Sequence, residues 1–349
     1  LDPEQRAEKP PHRGKIFFLT AIFSCLLLLG GALFLVAYQY ISTPIADPGR
    51  EKIVAIPKGL SFNQIARRLQ KEDIIKNAWK FRLLARIQDK AAKVQAGEFR
   101  IHTHWTPARI LDTLTQGQAV LYKLSIPEGL TWWETARIVQ KSGLASYSSF
   151  ASAAQNSTLL RRYNIPGSTA EGYLFPETYH VPRPEDKDAL PIVSSMLEEF
   201  REQTKQQLWP QGPPKTQKVH RIVTIASLVE KETSVAEERA TVAGVYMNRL
   251  EKGMRLQCDP TTIYGLGRQF DGNLTKKHLK DSDNPYNTYQ HAGLPPGPIC
   301  SPGLASLQAT LNPEEHDYLY FVAKGDGSHH FSKTLAEHNR AVRKYQLRR

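Results

Sequence analysis

Apolar positions along this chain fall first into one unbroken run and then into short periodic segments. From Ile16 to Ile41 no side chain is charged, and roughly 20 apolar residues cross a bilayer, so a transmembrane helix is expected there. Ser42 to Gly49 (STPIADPG) reads as a Pro-containing linker. Beyond it, Ile53 to Ile56 has the composition of a strand, Pro57 to Gly59 of a turn, and Ser61 to Gln70 of a helix opened by Ser61 and Gln64 as a capping pair. A second helix is expected from Ala78 to Ile87, a strand over Gly97 to Ile101, and a helix from Thr106-Pro107 to Gly117. Ile126-Pro-Glu-Gly-Leu-Thr131 repeats Ile56-Pro-Lys-Gly-Leu-Ser61, so one small unit occurs twice.

The second half of the chain alternates helices with loops. Tyr147 to Arg162 is Ser-rich and intermittently helical, and reads as a peripheral insertion. Glu171 to Tyr179 is aromatic and interrupted by Gly172 and Pro176, so it is expected to be irregular. A helix from Leu190 to Gln207 leads into the stretch around which the rest is organised. There Ile222, Ile225 and Val229 recur at three- and four-residue spacing, and the next position on that face is Glu232. Desolvation and the negative end of the helix dipole both disfavour an ionised carboxylate at that place, so its pKa should rise toward that of a general acid. Glu230 lies about 200° round the helix from Glu232, at roughly 100° per residue. Ser234 and Glu237 have capping-box spacing, which ends the first helix near Glu232 and opens a second through Val242, Val245, Tyr246 and Met247 to Gly253. The competing view makes Glu230, Lys231 and Glu232 solvated charges on a frayed helix end.

After Gly253, Gln257, Asp259, Thr261, Tyr264, Asn287 and Tyr289 supply amides, hydroxyls and one carboxylate on loops. These are groups that hydrogen-bond sugars and their N-acetyl arms, and loops on a rigid frame are where binding groups collect. Glu171 and Tyr173 are expected to line the same cleft; the alternative is a hydrophobic plug with Glu171 capping a turn. Trp132 and Trp133 open the helix of the repeated unit and offer indoles for a sugar ring or for the core. Tyr318 to Val322 reads as a buried strand, joined by a Gly325-Asp-Gly327 hairpin to His329-His-Phe331, and Leu335 to Leu347 as a basic terminal helix.

The segment Glu230-Lys-Glu-Thr233, with Asn248-Arg-Leu250, Met254-Arg-Leu-Gln257, Asp259-Pro-Thr261, Ile263-Tyr-Gly265, Asn287-Thr-Tyr289 and Gly293-Leu-Pro-Pro-Gly297, resembles the MltG (YceG-like) endolytic murein transglycosylases. The resemblance is densest from about Ile222 to Asn339 and extends back to about Lys52. It implies that the acidic residue before a hydroxyl residue, here Glu232 before Thr233, is catalytic. It also implies a reaction in which one carboxyl serves as acid and then as base while the sugar's own C6 hydroxyl attacks, leaving a 1,6-anhydro end within nascent peptidoglycan strands. The residues by themselves reach only a buried acid in a polar, sugar-like cleft. Asp259 and Glu171 leave a two-carboxylate hydrolase open, and a noncatalytic wall-binding scaffold is the third reading. The strand, helix, helix, strand order of the small unit resembles a LysM-like module that lies along aminosugar chains, or else a spacer without a ligand.

The expected fold class is therefore α+β: a cytoplasmic tail (1–15), a transmembrane helix (16–41), a linker (42–49), a LysM-like module (50–122), a second such unit with an intermediate region (123–215), and a mixed α+β catalytic domain (216–349). Composition adds location. At 349 residues with 40% hydrophobic content the chain can bury real cores. Its net charge of +12 suits nucleic acid, anionic lipid or an acidic polymer. Arg6, Lys9, Arg13 and Lys15 precede the apolar run and Asp47 follows it, so the positive-inside rule puts the bulk of the chain outside an inner membrane. That removes nucleic acid and favours wall glycan as partner, with peptidoglycan synthases nearby. A cleaved signal peptide would have a shorter apolar core. Cys25, Cys258 and Cys300 lack metal spacing, and the last two read as free thiols rather than as a disulfide. His329 and His330 have no suitably placed third ligand, and neither metal nor cofactor is expected.

Overall fold

A computed structural model describes residues 13–44 and 49–347. Arg6, Lys9 and Asp47, used above to orient the chain, lie outside the described residues, as does part of the linker. Helix α1 (Arg13–Ser42) contains the apolar run, and over Phe17–Ser42 it is long and apolar enough to cross a membrane.

The chain divides into two compact units, the first ending at Val120 and the second starting at Leu121. In the first, β1 (Glu51–Ile56), α2 (Phe62–Lys71), α3 (Ala78–Ile87), β2 (Gly97–His102) and α4 (Pro107–Gln116) follow in the order read from the sequence. Strands β1 and β2 pair antiparallel, with Val54 opposite Phe99. Alternation puts Val54, Ile56, Phe99 and Ile101 on the inner face, where they meet Leu69, Phe81 and Leu114 from the three helices. The Ser61–Gln64 capping box forms: the Gln64 side chain accepts from the Ser61 amide at 2.8 Å.

The second unit begins with β3 (Leu121–Ser125), α5 (Trp132–Lys141), α6 (Tyr147–Ala154), α7 (Ser157–Arg162) and β4 (Thr178–Pro182). Here too two antiparallel strands bracket helices, with Leu124 opposite Tyr179. The stretch from Tyr147 to Arg162 is not peripheral, because Phe150, Ala153, Ala154, Leu159 and Leu160 are buried in the largest core. Ser146, just before this stretch, caps α6, and the apolar residues among its serines turn to the core. Helices α8 (Leu190–Gln207) and α9 (Thr216–Glu232) follow, and Ile222, Val223 and Ala226 of α9 share that core with Leu124 and Phe150.

Then come α10 (Arg239–Glu251), α11 (Asp259–Leu266), α12 (Lys276–Leu279), α13 (Leu304–Leu311), the hairpin β5 (Tyr320–Ala323) and β6 (His329–Ser332), and α14 (Leu335–Tyr345). Val322 pairs with His330 across the Gly325–Gly327 turn. The strand is shorter and wetter than its apolar letters imply: among Tyr320 to Ala323 only Val322 is buried. Two glycines are fixed by close approach. Gly172 has φ +83°, and a Cβ there would lie 2.5 Å from Pro298 and 2.9 Å from Val223; one on Gly265 would lie 1.8 Å from Asn284.

Candidate active site

Helix α9 is buried on every side from Ile222 to Val229, so it runs through the unit rather than over it. Its last turn carries three charged residues out of the core in three directions. Glu230 accepts hydrogen bonds from the Gly303 amide (3.0 Å) and Ser306 Oγ (2.7 Å), which satisfies the free N-terminus of α13. Lys231 donates to the Gly129 carbonyl at 3.2 Å. Glu232 accepts from the Tyr246 hydroxyl at 3.0 Å. All three have protein partners, which a frayed, solvated end would not provide.

The helix stops where the spacing requires, though by a different cap. Thr233 is extended (φ −138°, ψ 133°) and its hydroxyl accepts from the Val235 amide at 3.0 Å. Ser234 and Glu237 do not form the expected capping box; a short 3-10 turn, Ala236–Glu238, leads into α10, which has no side-chain cap. Glu238 is drawn away instead, accepting from the backbone N–H of His329 at 2.8 Å, with its carboxylate 2.6 Å from Nδ1 of that residue.

Glu232 lines a cavity of about 600 Å³ together with Tyr246, Gln257, Asp259, Tyr289 and His329. Tyr320 and Phe321 of β5 add aromatic faces to the same wall. Burial pushes the Glu232 carboxyl above its usual range, against hydrogen bonds from the Cys258 thiol and Tyr246 that favour the charged form; the Asp259 charge raises it further and His329 opposes that. The net effect is a carboxyl that holds its proton to higher pH than an ordinary glutamate, facing an open cavity. Such a group can protonate a leaving oxygen and afterwards take a proton back. Burial likewise pushes the Tyr246 hydroxyl and the Cys258 thiol far up, so both remain neutral donors beside it.

Of the remaining residues expected to contact substrate, Gln257, Asp259 and Tyr289 reach the cavity, with the Tyr289 hydroxyl donating to Asp259 at 2.7 Å. Asn287 is on a loop as expected, but Thr261, like Asp259 and Tyr264, is on helix α11 where a loop was expected, and neither Thr261 nor Asn287 lines the cavity because both are buried. The Thr261 hydroxyl donates to the Cys258 carbonyl at 2.7 Å, and the Asn287 amide donates to the carbonyls of His278, Leu279 and Asp281. Their polar atoms close the loop backbone, whose carbonyls and amides would otherwise be buried unpaired. Glu171, Tyr173 and Tyr264 do not line this cavity. Glu171 is 3% exposed and accepts from the Trp132 amide with both oxygens at 3.2 Å, capping α5, and the Tyr264 hydroxyl hydrogen-bonds to it. Tyr173 is buried with its hydroxyl 3.1 Å from His220 Nδ1. The plug-and-cap alternative describes this loop. Tyr264 packs between Trp133 (ring centroids 5.0 Å apart) and Tyr286 (4.7 Å).

Sequence reasoning missed Tyr246 as the donor to the acid, Cys258 beside it, and the Glu238–His329 pair. Tyr246 carried a signal, since it lies on the buried face of α10, but nothing local said that its hydroxyl would meet a residue fourteen positions earlier. Arg249, in the Asn248-Arg-Leu250 motif, ties the cavity's walls together, donating from Nε to the Leu319 carbonyl at 2.6 Å and from Nη1 to the Leu256 carbonyl at 2.8 Å. Cys258 and Cys300 are buried free thiols, and the Cys300 thiol donates to the Ser227 carbonyl at 3.3 Å.

Residues 54–344 match the model of the YceG-like family. An endolytic murein transglycosylase of Bacillus subtilis is 32% identical over 334 residues, which cover 91% of each chain. One of Streptococcus pneumoniae serotype 2 is 29% identical over 365 residues, covering 94% of this chain and 65% of that one. The crystal structure of a YceG-like protein from Listeria monocytogenes is similar at a TM-score of 0.56 and 32% identity, covering 83% of this chain and 98% of that one.

Proposed function

The chain belongs to the YceG-like family, and from that premise we propose that it is a peptidoglycan lytic transglycosylase cutting within glycan strands, with Glu232 as its acid and base. The observation that carries the assignment to this residue is a raised carboxyl, held by Tyr246 and facing a polar cavity, at the end of a buried helix. Glu232 gives its proton to the oxygen bridging two aminosugars as the C1–O bond breaks. The carboxylate left behind then accepts the proton of the C6 hydroxyl as O6 bonds to C1, closing the 1,6-anhydro ring and restoring the acid without water. Gln257, Asp259 and Tyr289 contact the sugars, and Tyr320 and Phe321 offer them apolar faces.

In this reading α1 anchors the chain in the inner membrane with its N-terminus in the cytoplasm, and the rest works on nascent strands outside, ending their elongation close to the synthases. The strand, helix, helix, strand unit before Val120 is the LysM-like element that holds the strand. Asp259, the second carboxylate lining the cavity, is the observation that favours a hydrolase instead. Mass spectrometry of purified glycan digested by the full chain separates the two. Anhydro ends internal to the original strands are expected; reducing ends would establish hydrolysis, and no cleavage would leave a binding scaffold.

A further inference from the structure

Helix α3 has apolar residues on the face where solvent should be. Its buried side is Ala78, Phe81, Leu84 and Ala85. At about 100° per residue, Trp79, Leu83 and Ile87 lie within roughly 80° of one another on the opposite side. They are 61%, 42% and 72% exposed. Scattered exposed apolar residues are ordinary, but three at four-residue spacing on one helix make a continuous stripe. Cations flank it: Arg86 on one edge and Lys80 on the other, with Lys76 just before the helix, while Arg82 is half-buried and donates to the Asn63 side chain of α2 at 2.7 Å. No acidic residue occurs in α3.

The start of this helix is fastened to the end of α1. The Tyr40 hydroxyl donates to the carbonyl of Asn77, the N-cap of α3, at 3.0 Å. Lys80 Nζ sits 5.5 Å from the centre of the Tyr40 ring, and Ile41 packs against the core of this unit. Tyr40 is in the last turn of α1, where a spanning helix reaches the headgroups and where tyrosine and tryptophan collect. Trp79 follows two residues after the tether.

We propose that α3 is an interfacial helix which lays Trp79, Leu83 and Ile87 into the outer surface of the membrane that α1 crosses, with Lys76, Lys80 and Arg86 on anionic headgroups. It rests on the reading of α1 as a membrane anchor. The arrangement is that of amphipathic helices lying in the plane of a bilayer, an apolar stripe between basic edges. It fixes the first unit against the lipid, so that the chain leaves the membrane as a held domain rather than on a free tether.

The test uses the full chain in vesicles of phosphatidylethanolamine and phosphatidylglycerol, in a Cys25→Ala background that leaves only the two buried thiols. A polarity-sensitive fluorophore is attached at Leu83→Cys or, as control, at the exposed Arg67→Cys on α2. Position 83 should emit to the blue of position 67 and be quenched by nitroxide-bearing lipids, and Trp79→Ser with Ile87→Ser should abolish that quenching while the chain still floats with the vesicles. Equal, water-like emission at both positions in floating chain would overturn the proposal and leave the anchor intact. Emission that depends on protein-to-lipid ratio without lipid quenching would assign the stripe to a second copy and overturn it as well. A chain that fails to float would remove the anchor and this proposal together.

Discussion

Replacing Glu171 by Gln should make the protein more stable above neutral pH and have little effect in acid. The carboxyl is 3% exposed, and burial pushes it up to about 8 against hydrogen bonds from the Trp132 amide, Tyr264 and the Gly172 amide. In the unfolded chain the same group ionises near its ordinary 4.5. Between those values the folded state holds a proton that the unfolded state has released, so stability falls as pH rises. At about 1.4 kcal/mol per pH unit the loss accumulates to ~5 kcal/mol by pH 8, an upper figure for a site where local opening can admit water. Gln is neutral, nearly the same shape, and still accepts from Trp132. A mismatch of its amide with Tyr264 would add a pH-independent cost of about 1 kcal/mol. Urea unfolding of wild type and Glu171→Gln in detergent, followed by near-ultraviolet circular dichroism from pH 4.5 to 9, reads the difference. The variant should gain on wild type steadily with pH and level off above pH 8. A difference that is flat across the range, or that grows toward acid, would refute the burial argument.

Arg249→Leu removes donors from the carbonyls of Leu319 and Leu256 in a buried position, and should cost about 3 kcal/mol or more, seen as a lower urea midpoint. Glu238→Gln should cost about 1 kcal/mol at pH 7. Partial burial works against the Glu238 charge, but hydrogen bonds from His329 hold its carboxyl below the usual range, so the contribution is present above about pH 4.5 and lost on acidification below it; stability curves that stay parallel down to pH 3 would contradict this.

The parts of this fold that could be read in advance are those set by neighbours in sequence. The unit from β1 to α4 follows from capping pairs, a Pro-started helix and alternating apolar residues, all within a few positions of one another. The end of α9 at Glu232 was legible too, although Thr233 and not the expected capping box closes it, and the face of Ile222, Ile225 and Val229 leads to a buried carboxyl on a helix that is itself buried all round. What could not be read depends on distant contacts. Glu230 is engaged by Gly303 and Ser306, and Glu171 by Trp132, so their roles were set by packing and not by local pattern. The polar motifs after Gly253 illustrate the same limit. Thr261 and Asn287 have the chemistry of sugar-binding groups, yet spend it on backbone, and only the fold distinguishes these uses.

The central claim is that Glu232, and not its neighbour, performs the chemistry. Product formation from purified glycan strands by Glu232→Gln and Glu230→Gln, each checked for folding by circular dichroism, tests it most directly. Gln at 232 keeps the acceptor for Tyr246 but has no proton to give, so cleavage should fall by about 10²- to 10⁴-fold or more, since the same group acts in both halves of the reaction. Gln at 230 weakens the cap on α13, lowering stability by about 1 kcal/mol while anhydro products continue to form. Full activity in Glu232→Gln, or loss of chemistry in folded Glu230→Gln alone, would contradict the account.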